Sequence, residues 1–440
     1  MKKIVVLVIS LVLIIAVAGP FGSGFLVEER VSQAIGNFIE KLPRNMVKVE
    51  KFHRGWFKSS IVISLKEKKV YAKVTLNITH GPVLINKAGI NFGLANIDLK
   101  LSGEGVKDKS IQFIKEILTR AQTSILLNYE KTMTVDVRLK KLLKPFKKDN
   151  IAITTINGFH YHFNMKLADS VGQRGKAFLL FDKIKFNYKN IKVVVGQFNS
   201  ETVYNKSSKG AKTEDGFLTL NKATINYSLG AHSRQIMFNG IDLRSDAKII
   251  SNNLVLDMLF KVRTVEVPGF QAISLRLPLR VSNFNEESMA QYQKLTSTYP
   301  LNPLAVLRVV TKIIGGKPLI EINKAFLKVG TGTALLNFKL QGVPLAKDGI
   351  INMFNYRKII DLHTDIVVPK TTLKELLKMA SHLSADLNKT ESEEKVNSQI
   401  KTWLDQHLIT EKPKNYGFEL KIEESKLFMN AERKKNFLFP

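Results

Sequence analysis

The sequence predicts a mainly β protein of the α+β class, with elongated or curved antiparallel sheets, a few covering helices and an N-terminal membrane helix. Three observations lead to this prediction. An apolar stretch follows two lysines at the start of the chain, most of the body alternates apolar and polar residues, and helical periodicity is confined to a few segments. The short polar connections between the alternating segments favour antiparallel neighbours.

Residues 1–27 have the pattern of a signal-anchor. Two lysines precede the apolar run Ile4–Ala18, an arrangement that keeps the start of the chain in the cytoplasm and sends the remainder across the membrane. As a helix this run reaches only about 22 Å, but continued to Val27 it reaches about 36 Å and would cross a hydrocarbon core of about 30 Å. Ala16-Val17-Ala18 also fits a cleavage site, so cleavage after Ala18 and secretion is the alternative.

Residues 28–43 predict an amphipathic linker helix. Apolar residues recur every three or four positions from Val31 to Leu42, with charged residues between them, and Pro43 ends the pattern. Such a helix would lie on the membrane surface or cover one end of the following domain.

The body of the chain consists of predicted strands with one apolar face. In "DKIKFNYK", residues 182–189, Ile184, Phe186 and Tyr188 alternate with polar residues. The same alternation predicts strands near 70–79, 92–101, 133–139, 217–228, 235–243, 253–265, 273–281, 319–329, 333–340 and 417–429. The residues that signal turns between strands are Lys189–Asn190, Gly196, Glu214–Gly216, Asn239–Gly240, Ser251–Asn253 and Gly330–Gly332.

Helical periodicity predicts a small number of helices. They lie near 108–125, 285–298, 302–314, 371–383 and 396–409, and Thr372 and Glu375 stand at capping-box spacing in the fourth. The pair at 285–314 is the best candidate for a domain boundary. The predicted organisation is therefore an N-terminal β-rich region at 44–283 and a C-terminal α+β region at 284–440.

So few helices cannot cover so many one-sided strands. Strands with one apolar face must bury it, so the sheets pack on each other or one sheet curls and its apolar face lines a groove. A groove of this kind could hold a lipid chain. The sequence leaves both alternatives open.

The charge balance indicates an anionic partner. With 67 Lys and Arg against 38 Asp and Glu, the net charge is +29, which attracts nucleic acid, an anionic membrane surface or an acidic polysaccharide. A chain predicted to leave the cytoplasm, without a basic helix or an aromatic-basic sheet motif, favours anionic lipid or glycan over nucleic acid. Because the lysines are spread along the whole chain, ordinary solubility also explains part of the charge.

The sequence shows no signature of catalysis. There are no cysteines, which excludes disulfides and thiolate chemistry, and the common nucleophile, metalloprotease and nucleotide-binding motifs do not occur. His160 and His162 in "FHYHFN" would share one face of a strand, and two imidazoles can ligate a metal ion. No third ligand stands at motif spacing, so no metal, no cofactor and no catalytic residue is expected.

Two motifs carry a resemblance to a known family. "VEKFHRGWFKSSIVISL", residues 49–65, and "ITHGPVL", residues 78–84, resemble the hallmarks of the YdgA-like family of bacterial envelope proteins of unknown function. The tail "NYGFELKIEESKLFMNAE" resembles the closing hairpin of that family, with Ala431 in place of an expected glycine. The matching positions are Phe52, Arg54, Gly55, Trp56, Phe57, Ser59, His80, Gly81 and Pro82.

The resemblance implies a β-rich protein that is tethered to the inner membrane and faces the periplasm, and it brings no catalytic residues. It favours retention of the anchor over cleavage and release into the periplasm. The expected function is the handling of lipids or other hydrophobic ligands in envelope maintenance. An envelope scaffold without a ligand groove is the first alternative, and a periplasmic metal-dependent hydrolase is the second. Within the first motif, Gly55 would permit a corner, with contact to a lipid or partner as the other interpretation.

Overall fold

The computed structural model describes a chain of mostly β strands with four helices in its described part, which confirms the predicted mainly β class. Residues 1–27 and 28–43, where a membrane helix and a linker helix are predicted, lie outside the described residues. None of the described helices combines the length and the apolar composition needed to span a membrane. The described residues are 47–53, 58–67, 70–80, 83–86, 89–92, 95–102, 120–127, 132–141, 146–148, 151–166, 174–207, 209–229, 232–296, 303–342, 360–383, 393–423 and 426–434.

The chain forms two compact units, which are described one at a time. The first contains the described residues up to Lys189 together with Val194–Ser208, and the second contains Asn190–Val193, Lys209–Thr296 and the described residues from Pro303 onward.

The strands up to residue 206 are numbered in chain order. They are β1 (Val47–His53), β2 (Lys58–Glu67), β3 (Val70–His80), β4 (Val83–Asn86), β5 (Gly89–Phe92), β6 (Ala95–Ser102), β7 (Gln122–Leu127), β8 (Thr132–Lys141), β9 (Phe146–Lys148), β10 (Ile151–Lys166), β11 (Arg174–Phe181), β12 (Lys183–Tyr188), β13 (Ile191–Val195) and β14 (Phe198–Lys206).

The sheet of the first unit follows an antiparallel order from β1 through β2, β3, β6, β7 and β8 to the long strand β10. On its other edge β10 pairs with β12 and then β11, and β14 continues beyond β11. One face of this sheet is a closed core. Ile61, Ile63 and Ile78 are fully buried and Leu76 is 1% exposed, and burial of each such side chain stabilises the fold by about 1.5–3 kcal/mol.

The second unit contains the remaining strands and the four helices. The strands are β15 (Lys212–Leu229), β16 (His232–Ile250), β17 (Asn253–Glu266), β18 (Ile273–Asn285), β19 (Leu319–Val329), β20 (Gly332–Gly342), β21 (Ile360–Pro369), β22 (Thr410–Glu411), β23 (Asn415–Glu423), β24 (Lys426–Met429) and β25 (Glu432–Lys434). The helices are α1 (Glu286–Thr296), α2 (Pro303–Gly315), α3 (Lys370–Leu383) and α4 (Glu393–Asp405).

The strands from β15 to β21 pair antiparallel with their sequence neighbours, and β23 to β25 continue the same sheet. Long strands joined by tight turns give this meander, as at Ser251 and Asn252, where both residues have a positive φ. The predicted turns at this position and at Gly330 are confirmed.

Three local predictions are wrong. Residues 122–125 belong to β7 rather than to the end of a helix at 108–125, because Ile125 pairs with Ile97 and Val135 in the core; most of that predicted helix lies outside the described residues. Glu214–Gly216 and Asn239–Gly240 are not turns, because β15 and β16 run through them. Gly240 instead adopts a φ of 63° within its strand.

The helices agree with the sequence in place but not in every boundary. The helices predicted at 285–298 and 302–314 correspond to α1 and α2, and the predicted break between them lies outside the described residues. Helix α3 begins at Lys370, so Thr372 lies inside the first turn and does not cap it. Helix α4 ends at Asp405, before the predicted residue 409. Just after the helix, His407 adopts a φ of 56° and the Leu408 N–H donates to the Trp403 carbonyl at 2.8 Å.

Candidate functional site

A cluster of polar side chains lies on one face of β8 and β10 in the first unit. In the antiparallel register His162 stands opposite Asp136, and His160 stands opposite Arg138. Since side chains alternate between the two faces of a strand, these four share one face. The opposite face of β8 carries Met133, Val135 and Leu139, which are all buried. The cluster therefore lies on the reverse of the core.

The Asp136 carboxylate is the centre of this cluster. Its Oδ2 atom lies 3.0 Å from His160 Nε2 and 3.2 Å from His162 Nδ1. The Arg138 guanidinium donates from Nε to Oδ1 at 2.7 Å and from a terminal nitrogen to Oδ2 at 3.2 Å. The predicted shared face of the two histidines is thus confirmed, and a carboxylate that sequence spacing did not reveal lies between them.

The environment keeps the carboxylate ionised. Burial by itself raises the pKa of Asp136, but the hydrogen bonds from Arg138, His160 and His162 outweigh it, so the pKa of this carboxyl lies below its usual value. The side chains of Asp136, His160 and His162 are 20%, 29% and 37% exposed. The cluster is therefore charged, partly shielded and still accessible from solvent.

An aromatic ring of the neighbouring strand β11 contacts one of the two histidines. The Phe178 ring of β11 meets His160 edge to face at a centroid distance of 5.4 Å, and the two imidazoles are inclined at 71° to each other. Farther along the same face, Lys176 pairs with Glu201 of β14 at 2.8 Å. Lys176 is therefore paired with a carboxylate outside the cluster.

A second surface lies in the other unit, on strands β15 to β18. The register aligns Leu218 with Leu243, Leu243 with Phe260, and Phe260 with Leu277, so apolar side chains form continuous rows across four strands. This set, called the apolar face below, consists of Leu218, Leu220, Ile241, Leu243, Leu256, Met258, Phe260, Leu275, Leu277 and Leu279.

Each member of this set retains partial exposure to solvent, whereas Val262 and Ala247, which lie in the same rows, are buried. This is the contrast with the first unit, where Ile61 and Ile63 are fully buried. The reverse of the same strands carries charged pairs beside the apolar residues Phe217 and Leu259: Arg244 pairs with Asp242 at 3.1 Å, and Arg280 lies 3.8 Å from Asp257. The four strands therefore have one charged side and one apolar side that is only partly covered.

The family-motif positions are only partly placed. Phe52 lies on β1 opposite Ile61, and Ser59 lies on β2 opposite Ile78, with Ser59 buried in the core face. His80 ends β3. The remaining motif positions, Arg54, Gly55, Trp56, Phe57, Gly81 and Pro82, lie outside the described residues. The corner role of this motif remains a prediction, although β1 and β2 are antiparallel neighbours on either side of residues 54–57.

Comparison with known proteins identifies the family. No curated protein and no solved structure matches the chain. Residues 1–433 match the family described as "Bacterial protein of unknown function (DUF945)". Because the match extends over nearly the whole sequence, the chain belongs to this bacterial family.

Proposed function

We propose that this chain is an envelope protein, tethered to the inner membrane by residues 1–27, whose periplasmic body handles lipids or other hydrophobic ligands on the apolar face of β15 to β18. The observation that carries the proposal is the partial exposure of ten large apolar side chains on that face. The resemblance to YdgA-like envelope proteins supports the location.

The energetics favour a hydrophobic ligand on this face. Full burial of a Leu, Phe or Met side chain is worth about 1.5–3 kcal/mol, and the partly exposed rows from Leu218 to Leu277 realise only a fraction of it. An acyl chain lying along these rows would remove the remaining apolar surface from water. The width of the rows, which extend over four strands, suits an extended chain better than a compact polar ligand.

The charge of the chain supports an anionic lipid among hydrophobic ligands. A net charge of +29 attracts anionic head groups, with about 1 kcal/mol for each Lys or Arg close to such a surface. An acidic glycan would benefit from the same charge but gains nothing from the apolar face. A lipid uses both features.

Photo-crosslinking in living cells tests the proposal. Bacteria that express the full chain are fed a fatty acid carrying a diazirine, irradiated, and the purified protein is digested for mass spectrometry. We expect lipid adducts on peptides from β15 to β18. Leu277→Lys places a charge in the centre of the apolar face and should reduce these adducts by roughly tenfold. This factor corresponds to a loss of about 1.4 kcal/mol in the binding free energy of the lipid.

Ser274→Lys is the matched control, because Ser274 lies on the same strand but on its polar face. We expect this variant to retain wild-type adducts, with both variants checked for unchanged circular dichroism. A wild-type chain without adducts on β15 to β18, or equal adducts in both variants, would reject lipid handling on this face. Crosslinks of the chain to one specific envelope protein, obtained with a bifunctional amine-reactive reagent in the same cells, would then support the scaffold alternative.

A further inference from the structure

We propose that Asp136, His160 and His162 form a binding site for a divalent transition metal ion of the zinc class. The three residues offer one ligand atom each, and these atoms all lie within 4.8 Å of one another. The site lies in the first unit and does not depend on the proposed lipid function.

The spacing of the ligand atoms fits a tetrahedral ion. Zn²⁺ binds imidazole nitrogen and carboxylate oxygen at about 2.0–2.2 Å, so two ligand atoms of a tetrahedral site lie about 3.3 Å apart. In the structure Asp136 Oδ2 lies 3.0 Å from His160 Nε2 and 3.2 Å from His162 Nδ1. The two imidazole nitrogens lie within 4.8 Å of each other, so a tetrahedral ion requires the two histidine rings to approach by up to about 1.5 Å.

The protonation chemistry is also suitable. An ionised carboxylate only accepts hydrogen bonds, so each neutral imidazole beside Asp136 Oδ2 must direct its N–H toward that oxygen. A divalent ion takes the place of these two protons: each histidine moves its proton to the other ring nitrogen and presents a lone pair.

Arg138 has the position of an outer-shell partner. Its shortest contact, at 2.7 Å, is to Oδ1, whereas the two histidines contact Oδ2. The carboxylate can therefore bind the ion through Oδ2 while Oδ1 stays fixed by the guanidinium, and the ion would replace the longer contact of Arg138 to Oδ2 at 3.2 Å. Outer-shell hydrogen bonds of this kind orient carboxylate ligands in metal sites.

The ligand set selects the class of metal. Two imidazoles and one carboxylate suit Zn²⁺, Co²⁺, Ni²⁺ and Cu²⁺, whereas Mg²⁺ and Ca²⁺ prefer oxygen ligands throughout. Three protein ligands leave a fourth position of a tetrahedron open. The partial exposure of both histidines allows water to reach that position.

Metal titration of the intact protein tests the site. The full chain is purified in detergent without a polyhistidine tag, treated with chelator, and titrated with Co²⁺ and, in competition with a chromophoric chelator, with Zn²⁺. We expect one equivalent of each ion and a visible Co²⁺ spectrum typical of tetrahedral nitrogen and oxygen ligands. A wild-type protein that binds no ion, or that binds Co²⁺ only with an octahedral spectrum, would overturn the proposal without any variant.

Variants assign the binding to these residues. His162→Ala and Asp136→Asn should each weaken Zn²⁺ binding by at least the roughly 10- to 100-fold that follows loss of an outer-shell partner. His363→Ala is the control. His363 lies 3.9 Å from Glu419 on the adjacent strand of the second unit, so the two form a histidine–carboxylate pair like that of the cluster but with one histidine fewer. Binding that survives His162→Ala, or that disappears in His363→Ala, would overturn the assignment, and circular dichroism verifies that each variant is folded.

Discussion

Gly332→Ala tests whether helix α3 packs directly on strand β20. A Cβ atom at Gly332 would stand 1.9 Å from Thr372 Oγ1 and 3.3 Å from Thr372 Cβ. Thr372 is only 2% exposed, so its side chain cannot swing into solvent to make room. Alanine at this position therefore has to displace the first turn of α3 from the sheet.

The expected cost is the difference of two opposing effects. Gly332 has no positive φ, so alanine by itself would stabilise the fold by about 0.4–1 kcal/mol, because it restricts the unfolded chain. Overpacking of a close contact costs about 1–3 kcal/mol. We expect Gly332→Ala to lower the free energy of unfolding of this region by about 1–2 kcal/mol.

Substitutions of Thr372 identify the atom responsible. Thr372→Val keeps a methyl group in the place of Oγ1, so Gly332→Ala should lower the free energy of unfolding by the same amount in that background. Thr372→Ala removes this atom and leaves only Cβ, at 3.3 Å, so most of the stability should return. The comparison is a double-mutant cycle, which isolates the contact from other effects of each substitution.

Because the chain has two units, the stability around this contact is measured locally. Hydrogen exchange at increasing urea concentrations, followed by mass spectrometry on peptides from β20 and α3, gives the opening free energy of this region. Gly332→Ala as stable as wild type would show that α3 does not approach β20 as closely as described. Equal costs in the Thr372→Val and Thr372→Ala backgrounds would show that Thr372 is not the obstacle.

Two further predictions concern the core and the membrane segment. Ile63→Ala should lower the free energy of unfolding by about 2–5 kcal/mol because Ile63 is fully buried. Leu277→Ala should lower it by less than half as much because Leu277 is partly exposed. Similar losses of unfolding free energy for the two variants in urea denaturation would contradict the partial exposure of the apolar face. The full chain should stay in the membrane fraction after carbonate washing, with its body open to protease from the periplasmic side; a released form that begins at Gly19 would reject the anchor and keep secretion.

The strands were predictable because their signal is local. Alternation from Ile273 to Val281 follows from the geometry of an extended backbone and requires no knowledge of the partner strands. The turn signal was wrong at Gly216 and Gly240, because both strands continue through these glycines. Gly216 pairs with Ser245. The registers of β16 skip Gly240 but pair Asn239 and Ile241 on either side of it, which keeps this glycine within the strand.

The mainly β class, most of the strands and the shared face of His160 and His162 follow from the amino-acid pattern alone, because each depends on residues close together in the chain. The position of Asp136 between those histidines required the three-dimensional fold. That contact depends on the register of β8 against β10, and burial of Val135 and Leu139 on the reverse face fixes this register, since a shift by one residue would expose them. The partial exposure of Leu277 and its neighbours was likewise decided by tertiary packing, because alternation shows that a face is apolar but not what covers it.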